Sequence, residues 1–114
     1  MLPKQNRLTK RKEFGYIYKN GKAVHSNMFS VISVKSYQTE TRIGFSVSNK
    51  LGNAPARNRI KRRLREIMKY KLSKLNTHQN LIIIAKQPAA EADFNKLKSE
   101  IDYILKKGSY LKNE

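Results

Sequence analysis

The stretch that decides the fold runs from Lys50 to Glu66 and reads KLGNAPARNRIKRRLRE. Asn53 can accept a hydrogen bond from the first turn of a helix, and Pro55 suits that turn because its missing N–H would have no partner there. The apolar residues that follow recur at helical spacing, which predicts a long helix with one buried face. They are Ile60, Leu64, Ile67, Met68, Leu72 and Leu75.

Basic side chains crowd the start of this helix, where they are electrostatically unfavourable. Arg57 and Arg59 fall near its positive end, and a cation there typically costs a few tenths of a kcal/mol. Lys61 with Arg65, and Arg59 with Arg63, form like-charge pairs four residues apart that cost roughly 0.2–0.5 kcal/mol each. A polyanion would relieve all of these repulsions, so the segment is suited to binding phosphates.

The helical spacing separates the polar positions of this helix into groups. Arg59 and Arg63 are predicted to point farthest from the core, whereas Arg57 and Lys61 lie beside the apolar stripe and face the groove between helix and sheet. The candidate phosphate contacts are Lys50 in the preceding loop and Arg57, Arg59, Lys61, Arg62 and Arg65 on the helix. Asn58 either contacts the polyanion directly or organises the helix start, and the alternative for the whole set is a solvated basic face.

The charge balance also favours a nucleic-acid partner. The chain of 114 residues has 25 basic and 8 acidic side chains, a net charge of +17 and a pI near 10.3. Residues 1–75 hold 19 basic and 3 acidic side chains, whereas residues 76–114 hold 6 and 5. Such a potential attracts polyanions, and most of it comes from one part of the chain.

Length and composition predict one domain over residues 1–114. Cysteine is absent, which excludes disulfides and cysteine-ligated zinc and favours a cytoplasmic protein. The longest apolar run, Leu81 to Ala85, is far below the ~20 residues that span a bilayer, and the N-terminus lacks a signal-peptide pattern. No membrane association is expected.

The remaining patterns predict an α+β fold, a single-domain two-layer sandwich of a small mixed sheet and helices in the order α-β-β-α-β-α. Thr9 is predicted to cap a first helix that ends near Asn20. The segments 28–34 and 42–48 are predicted to form a hairpin, Leu81 to Ala85 a central strand, and Pro88 to Gly108 a last helix.

The titratable residues show no spacing typical of a catalytic or metal site. The eight carboxylates are scattered, and His25 and His78 stand alone in predicted turns or loops. Hydrolysis by protein groups needs clustered carboxylates for metal ions or a positioned histidine base. We therefore expect no catalytic residue and no metal ligand in the protein.

The run from Arg57 to Arg62, with Arg65 and Glu66 after it, resembles the signature of the bacterial ribonuclease P protein subunit. The flanking segments GFSVSNK at 44–50 and IIIAKQPA at 82–89, and Arg7-Leu8 and Glu13-Phe14 near the first helix, extend the resemblance nearly end to end. The triplet Arg-Asn-Arg alone would be weak evidence for this family, but all of these segments together, in this order, are specific to it.

The resemblance implies an α+β fold with a left-handed β-α-β crossover, against the usual right-handed rule. It implies a subunit of an endoribonuclease whose catalytic RNA removes the 5′ leader of precursor tRNA with Mg²⁺ held through that RNA. The implied partners are this RNA and precursor tRNA, with no obligate protein partner and no metal held tightly by the protein.

A leader-binding cleft is also implied by the resemblance, with Phe14, Tyr18, Phe29 and Ile32 as its candidates. Tyr18 stands where family members often carry phenylalanine, which keeps a ring and adds a hydroxyl. From spacing alone, Phe14 and Tyr18 are more typical of a core. Two other classes fit the composition: a ribosomal protein, although the termini are short, and a nonspecific DNA-binding module, although the basic segment begins beside a sheet.

Overall fold

The computed structural model describes residues 2–112, which fold around a four-stranded sheet. Its strands are β1 (Lys22–His25), β2 (Phe29–Lys35), β3 (Arg42–Ser46) and β4 (Gln79–Ala85), in the order β1-β2-β4-β3. Strand β2 is antiparallel to β1 and β4, whereas β3 is parallel to β4. The isoleucine-rich β4 is central, as its continuous apolar run predicts.

The predicted hairpin between residues 28–34 and 42–48 is wrong. Strand β4 lies between β2 and β3, with Ile32 opposite Ile82 on one side and Gly44 opposite Ile82 on the other. An apolar strand gains most from neighbours on both sides, and this long-range preference overrides sequence proximity. Strand β1 was not predicted, because its mostly exposed residues give no clear alternating pattern.

Side chains cap the starts of the two longest helices, whereas the other two begin without a side-chain cap. The helices are α1 (Arg11–Asn20), α2 (Ala54–Lys69), α3 (Gln87–Glu91) and α4 (Phe94–Lys107). Asn53 caps α2 as predicted, because its Oδ1 accepts a 3.0 Å hydrogen bond from the Ala56 N–H. Lys10, rather than Thr9, precedes α1 and provides no side-chain cap.

Two helix ends differ from the prediction. Helix α2 ends at Lys69, after which a 3₁₀ turn at Leu72–Lys74 carries the chain to the buried Leu75. The apolar spacing continues through that turn, so periodicity alone extends the helix too far. The predicted last helix is two helices, because Asp93 starts α4 by accepting a 2.8 Å hydrogen bond from the Lys96 N–H.

The sheet has helices on both faces. Helices α2 and α4 cover one face through the larger core cluster, which includes Phe29, Val31, Leu64 and Ile83. Helix α1 covers part of the other face through Ile17, which packs near Ile82. The α+β class is confirmed, with α1 as an additional layer. Strands β3 and β4 with α2 form the β-α-β unit, whose left hand stays a prediction from the resemblance.

Candidate nucleic-acid interface

The start of α2 presents a cluster of cations, and the one carboxylate of this helix, Glu66, follows them. Its first turn contains no acidic residue, and Asn58, Arg59, Arg62 and Arg65 are exposed. Arg57 and Lys61 are half-buried, as expected beside the apolar stripe. Lys50 is exposed in the 3₁₀ turn before the helix, where its N–H donates to Ser48 Oγ at 3.2 Å. The predicted RNA contacts therefore lie on one continuous segment.

Arg57 has a partner that the sequence did not reveal. Its Nη1 donates a hydrogen bond to Asn49 Oδ1, and its buried Nε has no hydrogen-bond partner among residues 2–112. Asn49 thus fixes the direction of the guanidinium, which keeps further donors for a phosphate. Gly52 permits the tight turn of the chain between Asn49 and Arg57, because its φ of +137° is strained for other residues.

The outward orientation predicted for Arg63 is wrong. Its side chain is half-buried, and Nη1 donates to the Ala92 carbonyl at 3.3 Å. The segment after α3 folds over this flank of α2, a contact between elements that helical spacing cannot show. Arg63 therefore has a structural partner and is separate from the exposed cations.

The predicted leader cleft would lie between one flank of α1 and the sheet. Phe14 is half-buried beside Gly44, whereas Tyr18 is 47% exposed one turn later on α1. Ile32 is half-buried on the same sheet face, near Ile82. The structure brings these three predicted residues, Phe14, Tyr18 and Ile32, to one side of the sheet.

Phe29 is not part of this cleft. It is completely buried in the core against α2 and α4, on the opposite face from Ile32. Alternate residues of a strand point to opposite faces, so the neighbouring Ser30 takes the cleft side. Ser30 is buried, and its Oγ lies 2.7 Å from His25 Nδ1. The prediction failed because Phe29 and Ile32 are both apolar. Their side-chain chemistry therefore does not show which of the two faces of β2 lies against α1.

Several carboxylates have structural partners. Glu13 pairs with Arg42, Asp102 pairs with Lys71, and Glu100 accepts a 3.1 Å hydrogen bond from the Met28 N–H. Within residues 2–112 there is no group of three or more histidine or acidic side chains that could hold a metal ion. Over the same residues, no helix is long and apolar enough to cross a membrane.

Comparison with known sequences gives consistent matches. The family model described as Ribonuclease P matches residues 2–109. A ribonuclease P protein component from Listeria monocytogenes serotype 4a is 39% identical, covering 99% of this chain and 96% of the relative. One from Staphylococcus epidermidis is 40% identical, covering 92% and 91%.

Solved structures give the same result. The RNase P protein of Staphylococcus aureus superposes with a TM-score of 0.88 at 34% identity, covering 94% of this chain and 98% of that chain. The protein from Thermotoga maritima gives a TM-score of 0.82 at 28% identity, covering 89% and 96%. These matches decide against the ribosomal and DNA-binding alternatives, and the chain belongs to the ribonuclease P protein family.

Proposed function

We propose that the chain is the protein component of a ribonuclease P, which assists a catalytic RNA in removing the 5′ leader of precursor tRNA in the cytoplasm. The observation that carries this proposal is the position of two surfaces. Helix α2 follows β3, which ends at Ser46, and Phe14 of α1 packs over Gly44 of the same strand. One RNA assembly can therefore occupy both.

The basic segment supports contact with the phosphate backbone. Its proposed contacts are Lys50, Arg57, Asn58, Arg59, Lys61, Arg62 and Arg65. Exposed cations bind phosphates by releasing condensed counterions, independently of sequence. The hydrogen bond from Arg57 to Asn49 fixes one of these cations before RNA arrives, which lowers the entropy lost on binding.

The cleft suits the unpaired leader. Tyr18 offers an exposed ring, Phe14 a partly accessible one, and Ile32 an apolar floor. Stacking of a base on an aromatic ring contributes about 1–3 kcal/mol and tolerates any base. A subunit that processes many precursors needs this tolerance, because their leaders differ in sequence.

Hydrolysis is assigned to the RNA, which uses Mg²⁺. The carboxylates of Glu13, Glu100 and Asp102 already hold elements of the fold together, which supports a structural role for them. The protein then contributes charge: its cations replace part of the screening that Mg²⁺ otherwise provides to closely packed phosphates. We expect neither a tightly bound metal nor an obligate protein partner.

Reconstitution tests this function. The purified protein should leave precursor tRNA intact, whereas the cognate RNA should cleave it faster with the protein than without, most clearly at low Mg²⁺. RNase-treated protein that still cleaves at the mature 5′ end, in independent preparations, would contradict the assignment of catalysis to RNA. Equal rates with and without protein across all Mg²⁺ concentrations would contradict the assisting role.

A further inference from the structure

A second groove lies on the other flank of α1. At 100° per residue, Tyr16 and Asn20 are on the side of the helix away from Tyr18. Two adjoining cavities of 330 and 900 Å³ open there, and both are lined by Tyr16, Val34, Lys35, Ser36 and Tyr37. We call this region the Tyr16–Tyr37 groove; it lies where β2 ends and β4 begins.

The rim of the Tyr16–Tyr37 groove combines exposed rings with positive charge. Tyr16 is 61% exposed, and Tyr37 is fully exposed. Lys12 lines the smaller cavity, Lys22 the larger and Lys35 both. The carboxylate in the lining belongs to Glu13, which Arg42 already pairs. The groove is therefore cationic and aromatic, which are the two properties that single-stranded nucleic acids require.

The lining of the smaller cavity includes a buried amide with unused hydrogen-bonding capacity. Asn80 is only 9% exposed and lies on the same face of β4 as Ile82. Its Oδ1 is buried and has no hydrogen-bond partner among residues 2–112. A buried acceptor without a donor destabilises the fold, so a ligand that supplies a donor would bind favourably.

We propose that the Tyr16–Tyr37 groove binds an unpaired nucleotide of a single-stranded RNA. The lysines neutralise its phosphates, the tyrosine rings stack on its base, and the Asn80 amide receives the amino group of the base edge. An asparagine amide pairs in two places with adenine, which donates from N6 and accepts at N7. This site goes beyond the function proposed above, since it shares no side chain with Phe14, Tyr18 and Ile32.

A direct binding measurement isolates the groove. The probe is a fluorescein-labelled six-nucleotide oligoadenylate, and the starting protein carries Phe14→Ala and Tyr18→Ala so that the leader cleft does not contribute. We expect measurable binding, which Tyr16→Ala with Tyr37→Ala weakens at least about five-fold, the lower limit for lost base stacking. Tyr103→Ala is the matched control, because Tyr103 is 54% exposed on α4 and lies away from the groove.

Two further probes separate base recognition from charge. A hexamer of abasic ribose phosphates should bind more weakly than oligoadenylate, and an oligoglutamate peptide more weakly still. Equal binding of all three, or unchanged affinity in the Tyr16 and Tyr37 variant, would overturn the proposal. Absence of oligoadenylate binding by the protein with Phe14→Ala and Tyr18→Ala would overturn it as well. That result would not contradict the proposed role of the leader cleft.

Asn80 provides a test of the base edge. Asn80→Leu replaces the amide by an apolar group of similar size, and we expect weaker binding of oligoadenylate with unchanged binding of the abasic hexamer. A structural role predicts a lower melting temperature instead. If the variant does not fold, NMR of the unmodified protein tests the same contact. Oligoadenylate should shift the side-chain amide resonance of Asn80, and the abasic hexamer should not.

These results also distinguish the two RNA surfaces. If the protein with Phe14→Ala and Tyr18→Ala binds oligoadenylate and loses this binding when Tyr16→Ala and Tyr37→Ala are added, the groove is supported even if the leader cleft proves inactive. If the unmodified protein binds oligoadenylate and Phe14→Ala with Tyr18→Ala already abolishes this binding, the leader cleft is supported and the groove is refuted.

Discussion

Gly44 determines how closely Phe14 packs on the sheet. A Cβ at position 44 would overlap the Phe14 ring and come within 3.1 Å of Leu8 Cδ2, so glycine allows α1 to lie close to β3. The ring is half-buried, with its Cζ and Cε1 atoms against Gly44. Tyr18, one turn along, packs less. The two rings should thus differ in how much they contribute to stability.

Alanine substitutions separate these contributions. Tyr18→Ala should weaken binding of precursor tRNA by about 1–3 kcal/mol through lost stacking, with little change in unfolding free energy. Phe14→Ala should weaken binding similarly and also destabilise the fold, although by less than the roughly 3–5 kcal/mol of a fully buried phenylalanine. Both effects are measured by titration with leader-containing RNA and by thermal unfolding.

Mature tRNA is the control for this pair, because it lacks leader bases, and Tyr18→Phe should bind normally. If both alanine variants bound mature and precursor tRNA equally weakly, the rings would have no leader-specific role.

Tyr110 makes the stability of the fold depend on pH in the alkaline range. Burial raises the pKa of its phenol, and a hydrogen bond with Ser33 opposes this rise. The hydroxyl also donates to the Val31 carbonyl at 3.5 Å. The unfolded chain ionises first, near its ordinary pKa of about 10, so this contribution to stability is complete below pH ~10 and is lost as the pH rises through the higher folded pKa.

The resulting prediction compares Tyr110→Phe with the unmodified protein. The melting temperature of the unmodified protein should fall more steeply between about pH 9.5 and 11 than that of the variant, which cannot ionise there. Thermal unfolding by circular dichroism measures both slopes. Parallel slopes would show that Tyr110 does not titrate with unfolding.

At the scale of elements, local signals were predicted well and long-range pairings were not. The start of α2 follows from Asn53 and Pro55, whose effects act within one turn. The position of β4 between β2 and β3 depends on which strand gains most from two neighbours, and that gain is set by the whole sheet. The candidate site divides in the same way: the cations of α2 are evident from sequence, whereas Asn49 and the burial of Phe29 depend on packing.

Substitutions in helix α2 test the role of its cations directly. Replacing Arg57, Arg59, Lys61, Arg62 and Arg65 together by glutamine should weaken RNA binding and flatten its salt dependence, by about 0.7–0.9 in log–log slope for each lost phosphate contact. Stability should not fall, because each relieved like-charge pair gains roughly 0.2–0.5 kcal/mol. Affinity is measured across salt concentrations, together with the melting temperature.

The matched control removes an equal number of exposed cations elsewhere. Glutamine at Lys74, Lys96, Lys98, Lys106 and Lys112 lowers the net charge equally and should change the slope much less. Equal slopes for the two variants would mean that net charge alone governs binding. A lower melting temperature of the α2 variant with an unchanged slope would assign its cations to the fold.

At the scale of the whole molecule, the fold tolerates strong self-repulsion. A net charge of +17 is held within 36 × 33 × 25 Å, and two ion pairs, Arg42–Glu13 and Lys71–Asp102, occur within residues 2–112. The Debye length is about 30 Å at 0.01 M salt, so most charges interact there, and about 10 Å at 0.1 M. Folding brings these charges together, which opposes stability, and an RNA partner removes that repulsion.

The free protein should therefore become more stable as salt increases. Between about 0.01 and 0.5 M NaCl, screening shortens the Debye length from ~30 Å to below 8 Å, and repulsion in the folded state weakens more than in the expanded unfolded chain. A gain of 1 kcal/mol would raise the melting temperature by roughly 4–8 °C for a domain of about this size. The α2 glutamine variant should melt higher at low salt and gain less from added salt, because part of the repulsion is already gone. Differential scanning calorimetry of both proteins measures these changes, and a melting temperature that falls with salt would mean that the two ion pairs outweigh the repulsion among the 25 basic side chains.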